Sequence, residues 1–172
     1  MRQIIYIPEI ARDKLASLKN DPALVTGVHI VYVYFLLNRL IPYPKGESNI
    51  LYIGEAMRKA GTTGARLGQH ITQSDTNGAN TGNNFVLSQY FHAGWSIGLA
   101  IFKTDIHRKE RERELIYAHI SLYGSPPIAQ GKIPHDPNGK NRTNHIASFI
   151  ANNKKPIDKA ATILIKLRKS AT

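Results

Sequence analysis

Apolar and polar positions divide this chain into segments of two periods. Residues 28–37, VHIVYVYFLL, form a β-branched and aromatic run that predicts a strand buried on at least one face. ILYIG at 50–54 predicts a second, short strand stopped by Gly54, and SIGLAIFKT at 96–104 a third. The connection between the first two, NRLIPYPKGESN, carries two prolines and a glycine, so the pair reads as a hairpin with an enlarged loop.

Helical spacing appears elsewhere. In PEIARDKLASLKN, 8–20, Pro8 suits a first turn and Ile10, Leu15 and Leu18 supply an apolar stripe, which Asp21-Pro22 ends. Thr63 is placed to cap a short helix over 64–72, and 84–93 reads as helical. The strongest helix spans 106–123, with Asp105 as cap and Gly124 and Pro126-Pro127 as stop. A final helical region, HIASFIANN followed by PIDKAATILIKLRKS, is predicted to split at Pro156. The polar, Gly/Asn-rich stretch 73–84 and the Pro/Gly/Asn-rich stretch 124–143 read as loops. There is no internal repeat, and 172 residues suit a single domain spanning 1–172.

Composition adds constraints. Without cysteine, disulfide frameworks and thiolate metal sites are excluded. No apolar run approaches the ~20 residues that span a bilayer, and the start MRQIIYIPEIARD does not read as a secretory leader, so a cytoplasmic protein, with no membrane partner, is the simplest expectation. Charge changes the picture more. Twenty-three Lys+Arg against 12 Asp+Glu give +11 and a pI near 10.0. Residues 131–172 carry nine of the basic side chains and two acids, and across 56–104 Asp75 is the only acid. A long surface poor in carboxylates suits a polyanion such as nucleic acid, without separating DNA from RNA.

Candidate chemistry falls on few residues. Arg66 and His70, four apart, would share a helix face, and an Arg beside an imidazole can clamp a phosphate and move a proton. In 106–123, helical phase stacks Glu112 over Leu115, Ile116 and His119, and sets Glu114 with Tyr117, Ala118 and Ser121 on a more polar face. A lone carboxylate on the buried stripe requires a cation: either an ion pair with Arg108 or Arg111, or a Mg²⁺ ion. Tyr32 and Tyr34 face one side of their strand, and Tyr52 lies on the next. Such tyrosines pack in most sheets, but Gly54 beside Tyr52 would allow close backbone approach by a ligand.

Taken in order, Ile30-Val31-Tyr32-Val33-Tyr34, Tyr52-Ile53-Gly54, Arg66 with His70, and Glu112 with Leu115-Ile116 resemble the GIY-YIG nuclease family, over about residues 28–130. The first motif lacks its glycine, so either Tyr32 or Tyr34 fits; Asn38 follows at a spacing that favours Tyr34. The connection between the tyrosine motifs is long for the family, and Gln130, after Pro126-Pro127, is the nearest match to the family's late Asn.

The resemblance implies an α+β fold, a small three-stranded antiparallel sheet flanked by helices, here with N- and C-terminal helical additions and a basic extension at 131–172. It implies Mg²⁺-dependent hydrolysis of a phosphodiester bond, with Mn²⁺ able to substitute. Glu112 would hold the metal and Arg66 the scissile phosphate. Tyr34 or Tyr52 would orient or deprotonate the attacking water, with His70 as a base and Lys59 or Arg58 lowering the phenol's pKa. The compact chain is most similar to the family's small type II restriction endonucleases, bacterial homodimers that cut double-stranded DNA at palindromic sites. Segments 73–84 and 131–170 are then the candidates for groove contacts. A structure-specific or non-specific nuclease, an RNA-directed toxin and a non-catalytic DNA-binding module are the alternatives.

Overall fold

A computed structural model of the chain describes residues 1–71, 81–131 and 142–170, the side chains of 81–84 and 142–145 excepted. The architecture is α+β. Four antiparallel strands form the main sheet: β1 (Arg2–Ile7), β2 (Ile30–Leu36), β5 (Ile50–Ala56) and β6 (Ile97–Lys103), in the order β1-β6-β2-β5. The three expected strands are neighbours, and β1 adds a fourth on the β6 side. Within the connection expected to be irregular, β3 (Ile41–Tyr43) and β4 (Gly46–Ser48) make a separate small hairpin.

The central strands explain themselves. All seven residues of β2 are buried, as are six of the seven in β6, which fits a strand covered on both faces. Alternation then sends Ile30, Tyr32, Tyr34 and Leu36 to one core and Val31, Val33 and Phe35 to the other. The β2–β5 register jumps between Tyr34↔Tyr52 and Phe35↔Ile50, a bulge that leaves Leu51 unpaired and lets Leu51 and Tyr52 both join the tyrosine-side core. Rather than ending at Gly54, β5 continues to Ala56.

On the tyrosine side the sheet is covered by α1 (Arg12–Ser17), by a 3₁₀ segment Thr63–Gln69, and by α2 (Thr81–His92), which contribute Leu15, Leu67 and Leu87. The first helix is shorter than expected because the Ile10 amide donates to the Ile97 carbonyl at 2.8 Å, holding residues 8–10 against β6. The segment 64–72 is not α-helical. Gly64 and Gly68 weaken an α-helix, and a Cβ on Gly64 would stand 1.9 Å from the Leu18 carbonyl oxygen. Thr63 does not cap it either: its hydroxyl donates to the Val28 carbonyl at 2.9 Å. Of the polar stretch expected at 73–84, residues 73–80 lie outside the described residues and Thr81 opens α2.

The opposite face carries α3 (Arg108–Tyr123), α4 (Arg142–Asn152) and α5 (Lys154–Lys169). Asp105 accepts from the His107 amide at 3.0 Å just ahead of α3, and Gly124 ends that helix at φ 84° as expected. The last two helices part at Asn153, not Pro156, because Pro156 sits in the first turn of α5, where its missing N–H breaks no helical bond. Ile157, Ala160, Leu164 and Leu167 of α5 pack with Leu115 and Ile116 of α3, so the C-terminal segment is part of the core. Among the described residues no helix is long and apolar enough to cross a membrane.

Candidate active site

The tyrosines converge on one histidine. Tyr32, Tyr34 and Tyr52 have ring centroids 5.1, 5.5 and 5.9 Å from the imidazole of His70. The Tyr32 hydroxyl lies 3.2 Å from His70 Nε2, and the Tyr34 hydroxyl is buried without a partner. Tyr32 is therefore the first-motif tyrosine coupled to the histidine. Burial, then the nearby Arg66 charge, pushes the pKa of His70 down to about 3, so the ring is neutral and a weak base. Burial also raises all three phenols. Tyr52 rises to about 12; Glu112 pushes it the same way, while Arg66 and the Tyr32 hydroxyl pull it back.

Arg66 and His70 do not form the expected side-by-side pair. In the 3₁₀ segment Arg66 eclipses Gln69, to which its guanidinium donates at 3.2 Å, and His70 turns inward to complete burial. Arg66 stays half-buried at the margin of the cluster, where its charge acts on Tyr32, Tyr34, Tyr52 and His70. It is the main cation that lowers the phenols, a part expected of Arg58 or Lys59.

Gly54 serves packing, not ligand approach. A Cβ there would stand 2.5 Å from Cζ and the hydroxyl oxygen of Tyr32, the residue opposite it in register. Gly54→Ala is expected to destabilise the fold by about 2–3 kcal/mol, read by urea unfolding, because a fully buried ring must move. A change within the error of the measurement would show that the ring has room.

The carboxylates of α3 divide differently from their helical phase. The helix is covered on two sides, and residues 114–119 are all buried. Glu114 is therefore not on a polar face; it is a buried structural carboxylate, held by Arg111 at 2.8 and 3.0 Å. Arg108 is bound to Glu55 of β5, and Arg113 lies over the Phe149 ring at 5.6 Å. Half-buried Glu112 is left without a hydrogen bond or ion pair among the described residues. Its carboxyl is pushed up to about 7, by burial first and then by the charge of Glu55, while Lys109, Arg108 and Arg113 pull it back without forming an ion pair with it. Glu112 in turn raises Tyr52 and Tyr32, so its charge reaches the phenols, although α3 packs on the other face of the sheet.

The other polar groups are structural. His119, on the Glu112 side of α3, lies 2.7 Å from the Ser125 carbonyl and 3.0 Å from the Ser48 hydroxyl. The Gln130 side-chain carbonyl accepts from the Ile53 amide at 3.2 Å, sealing the outer edge of β5 beside Tyr52. Glu55 is absent from the residues that the sequence singles out, and its only signal there is its place directly after Tyr52-Ile53-Gly54. Two cavities, of 470 and 660 Å³, lie along α5 and take in none of the tyrosines, His70, Arg66 or Glu112.

The donor set fits one hard cation. Among the described residues no group of three or more His, Asp or Glu is placed to hold a metal. Mg²⁺, however, commonly takes one or two carboxylates and completes its shell with water and phosphate oxygens. Glu112, half-buried and without an ion pair among the described residues, is a carboxylate of that type, whereas Glu55 is taken by Arg108. No protein-family model, curated protein or solved structure matches this chain.

Proposed function

We propose that this chain is a Mg²⁺-dependent endonuclease that hydrolyses DNA phosphodiester bonds, in the manner of the GIY-YIG family it resembles, and that it acts as a site-specific homodimer on duplex DNA. The observation that carries this reading is Glu112: it makes no ion pair among the described residues, while Arg108 and Arg111 of its helix pair with Glu55 and Glu114, and its charge reaches Tyr52, as that of Arg66 does. Leaving a carboxylate there without a counter-ion costs stability, and a divalent cation would remove that cost.

In this reading Glu112 holds the cation. When bound, Mg²⁺ supplies charge stabilisation at the phosphate and at the leaving oxygen. Arg66, half-buried and next to the phenols, binds the scissile phosphate as negative charge builds on it. Tyr52, the phenol on which both Arg66 and Glu112 act most strongly after burial, orients the attacking water. With its pKa near 12 it acts as a neutral hydrogen-bonding group. Tyr32 and His70 stand behind Tyr52, and their hydrogen bond fixes where its neighbour's hydroxyl points. Tyr34 packs against the same imidazole. The excess of +11 charges favours duplex backbone, and the lysines of α5 that face away from the core suit phosphate contacts.

Incubation with long duplex DNA and Mg²⁺ or Mn²⁺ should give discrete fragments, and none in chelator. A smear would replace site specificity with structure-specific or non-specific cutting, and cleavage of structured RNA alone would move the substrate to RNA. Arg66→Ala should lower kcat about 100-fold with Mg²⁺ binding retained. The complete burial of Tyr32 and Tyr34 favours a second reading, a non-catalytic DNA-binding module. DNA binding that persists in chelator, with no nick when metal is added, would select it.

A further inference from the structure

Arg108 and Glu112 lie four residues apart on α3, so their side chains share a face and Arg108 is the natural counter-ion for Glu112. The structure directs it elsewhere. Arg108 Nε is bound to the Glu55 carboxylate, and its terminal nitrogen lies 3.3 Å from His29 Nδ1. Glu55 reaches it from β5, where its partner in register is Val31, a residue of the core that α3 covers. Arg108 and Glu55 are 18% and 21% exposed, shielded enough for the choice of partner to matter more than it would on an open surface.

We infer that Glu55 is a positioning residue that keeps Arg108 away from Glu112, and so keeps Glu112 free for a divalent cation. The inference rests on the reading of Glu112 as the cation-binding carboxylate. Without Glu55, a guanidinium left with only the His29 ring nitrogen would stand one helical turn from a half-buried carboxylate that has no ion pair among the described residues. The two would pair, closing the cation site from within the helix. A role for Glu55 as a simple negative charge near the cation makes a different prediction, because two independent charges act additively.

Mn²⁺ binding to the full chain in the absence of DNA, measured by titration calorimetry, separates these roles. Glu55→Gln should weaken Mn²⁺ binding about tenfold, the scale of one shielded ion pair competing for the carboxylate. Arg108→Ala alone should change it by less than about twofold, yet restore about tenfold in the Glu55→Gln background. Equal effects of Arg108→Ala in the two backgrounds would overturn the inference, as would a double variant that stays weak, since Glu55 would then act as an independent charge or as a ligand. A metal-free crystal structure of Glu55→Gln should show Arg108 paired with Glu112; Arg108 still directed at His29 would overturn the inference whatever the calorimetry gives. If Glu112→Gln binds Mn²⁺ as the unaltered chain does, the cation reading of Glu112 fails by itself, and the crystal structure still decides the position of Arg108.

Discussion

Replacing Glu112 with glutamine is expected to lower Mg²⁺-dependent cleavage about a thousandfold or more, and at pH 8 to raise the melting temperature by a few degrees. The two effects share one cause. Glu112 is half-buried and has no ion pair among the described residues, so at pH 8 its charge works against folding. Its folded pKa of about 7 stands above the ordinary value of 4.5, so the folded chain binds the proton more tightly than the unfolded one. Its contribution to stability is therefore most favourable below pH 4.5 and declines as pH rises through 7. Glutamine keeps the shape and removes the charge. Structural carboxylates behave in the opposite way: Glu114, held by Arg111, should lose stability when replaced by glutamine and leave cleavage largely intact. Cleavage by Glu112→Gln at the unaltered rate would remove Glu112 from the chemistry. A fall in melting temperature would mean that the carboxylate has a partner that offsets its burial.

The second large effect is acid unfolding governed by two buried histidines. Burial lowers His70 to about 3 and His119 to about 4, against an ordinary value of 6.5 for each. For both groups the unfolded chain takes up the proton first. Their stabilisation is complete above pH 6.5 and is lost as pH falls toward the two folded values. Each tenfold difference in proton affinity between the unfolded and folded chain is worth about 1.4 kcal/mol, so the pair represents on the order of 5 kcal/mol or more, a large share of an ordinary domain's stability. Glu112 acts in the opposite direction between pH 7 and 4.5, but as one group against two. Urea unfolding followed by circular dichroism should show stability falling below about pH 6.5 and most steeply between about pH 5 and 4. His70→Gln and His119→Gln should each flatten that slope even where they lower stability at about pH 8. A flat profile in the unaltered chain would mean that both imidazoles are protonated in the fold at ordinary cost. Protonation of His70 also makes both ring nitrogens donors and places a charge 3.2 Å from the Tyr32 hydroxyl, so acid should disturb the tyrosine cluster before the sheet beneath it.

Much of the fold is legible where a segment's own pattern matches its surroundings. The strands at 30–36 and 97–103 are apolar nearly throughout because both of their faces are covered, and no neighbour has to be known to see it. The C-terminus of α3 is equally local, since Gly124 takes a positive φ that other residues resist. β1 is different. Arg-Gln-Ile-Ile-Tyr-Ile lacks clean alternation, and what holds it is the register with β6, from Arg2↔Lys103 to Ile7↔Leu99. The shortened α1 has a similar origin, because the pattern around Ile10 is helical but its amide is taken by Ile97.

For the candidate site, the residue types and their spacing are in the sequence: two tyrosines on one strand, a third on the next, then Arg66, His70 and Glu112. Periodicity alone ranks neither the tyrosines nor the acids. Tyr32 and Tyr34 point the same way, and only the position of His70 couples Tyr32 to it. Gly54 is a glycine in the sequence whatever approaches it; the approaching group is the Tyr32 ring across the strand pair. Glu112 is half-buried as its phase expects, but Glu114 is buried as well because α3 is covered by the sheet on one side and by α4 and α5 on the other, and a single helix's phase assumes one buried face. Sequence by itself determined the two central strands, the end of α3, the basic surface and the set of groups that can do chemistry, because propensity, charge and side-chain type are properties of each residue. Tertiary structure alone decided the fourth strand, the partners of Arg108 and Arg111 on α3, and hence which carboxylate has no ion pair among the described residues. Counter-ions and burial are set by residues distant in the chain, as Glu55 is from Arg108.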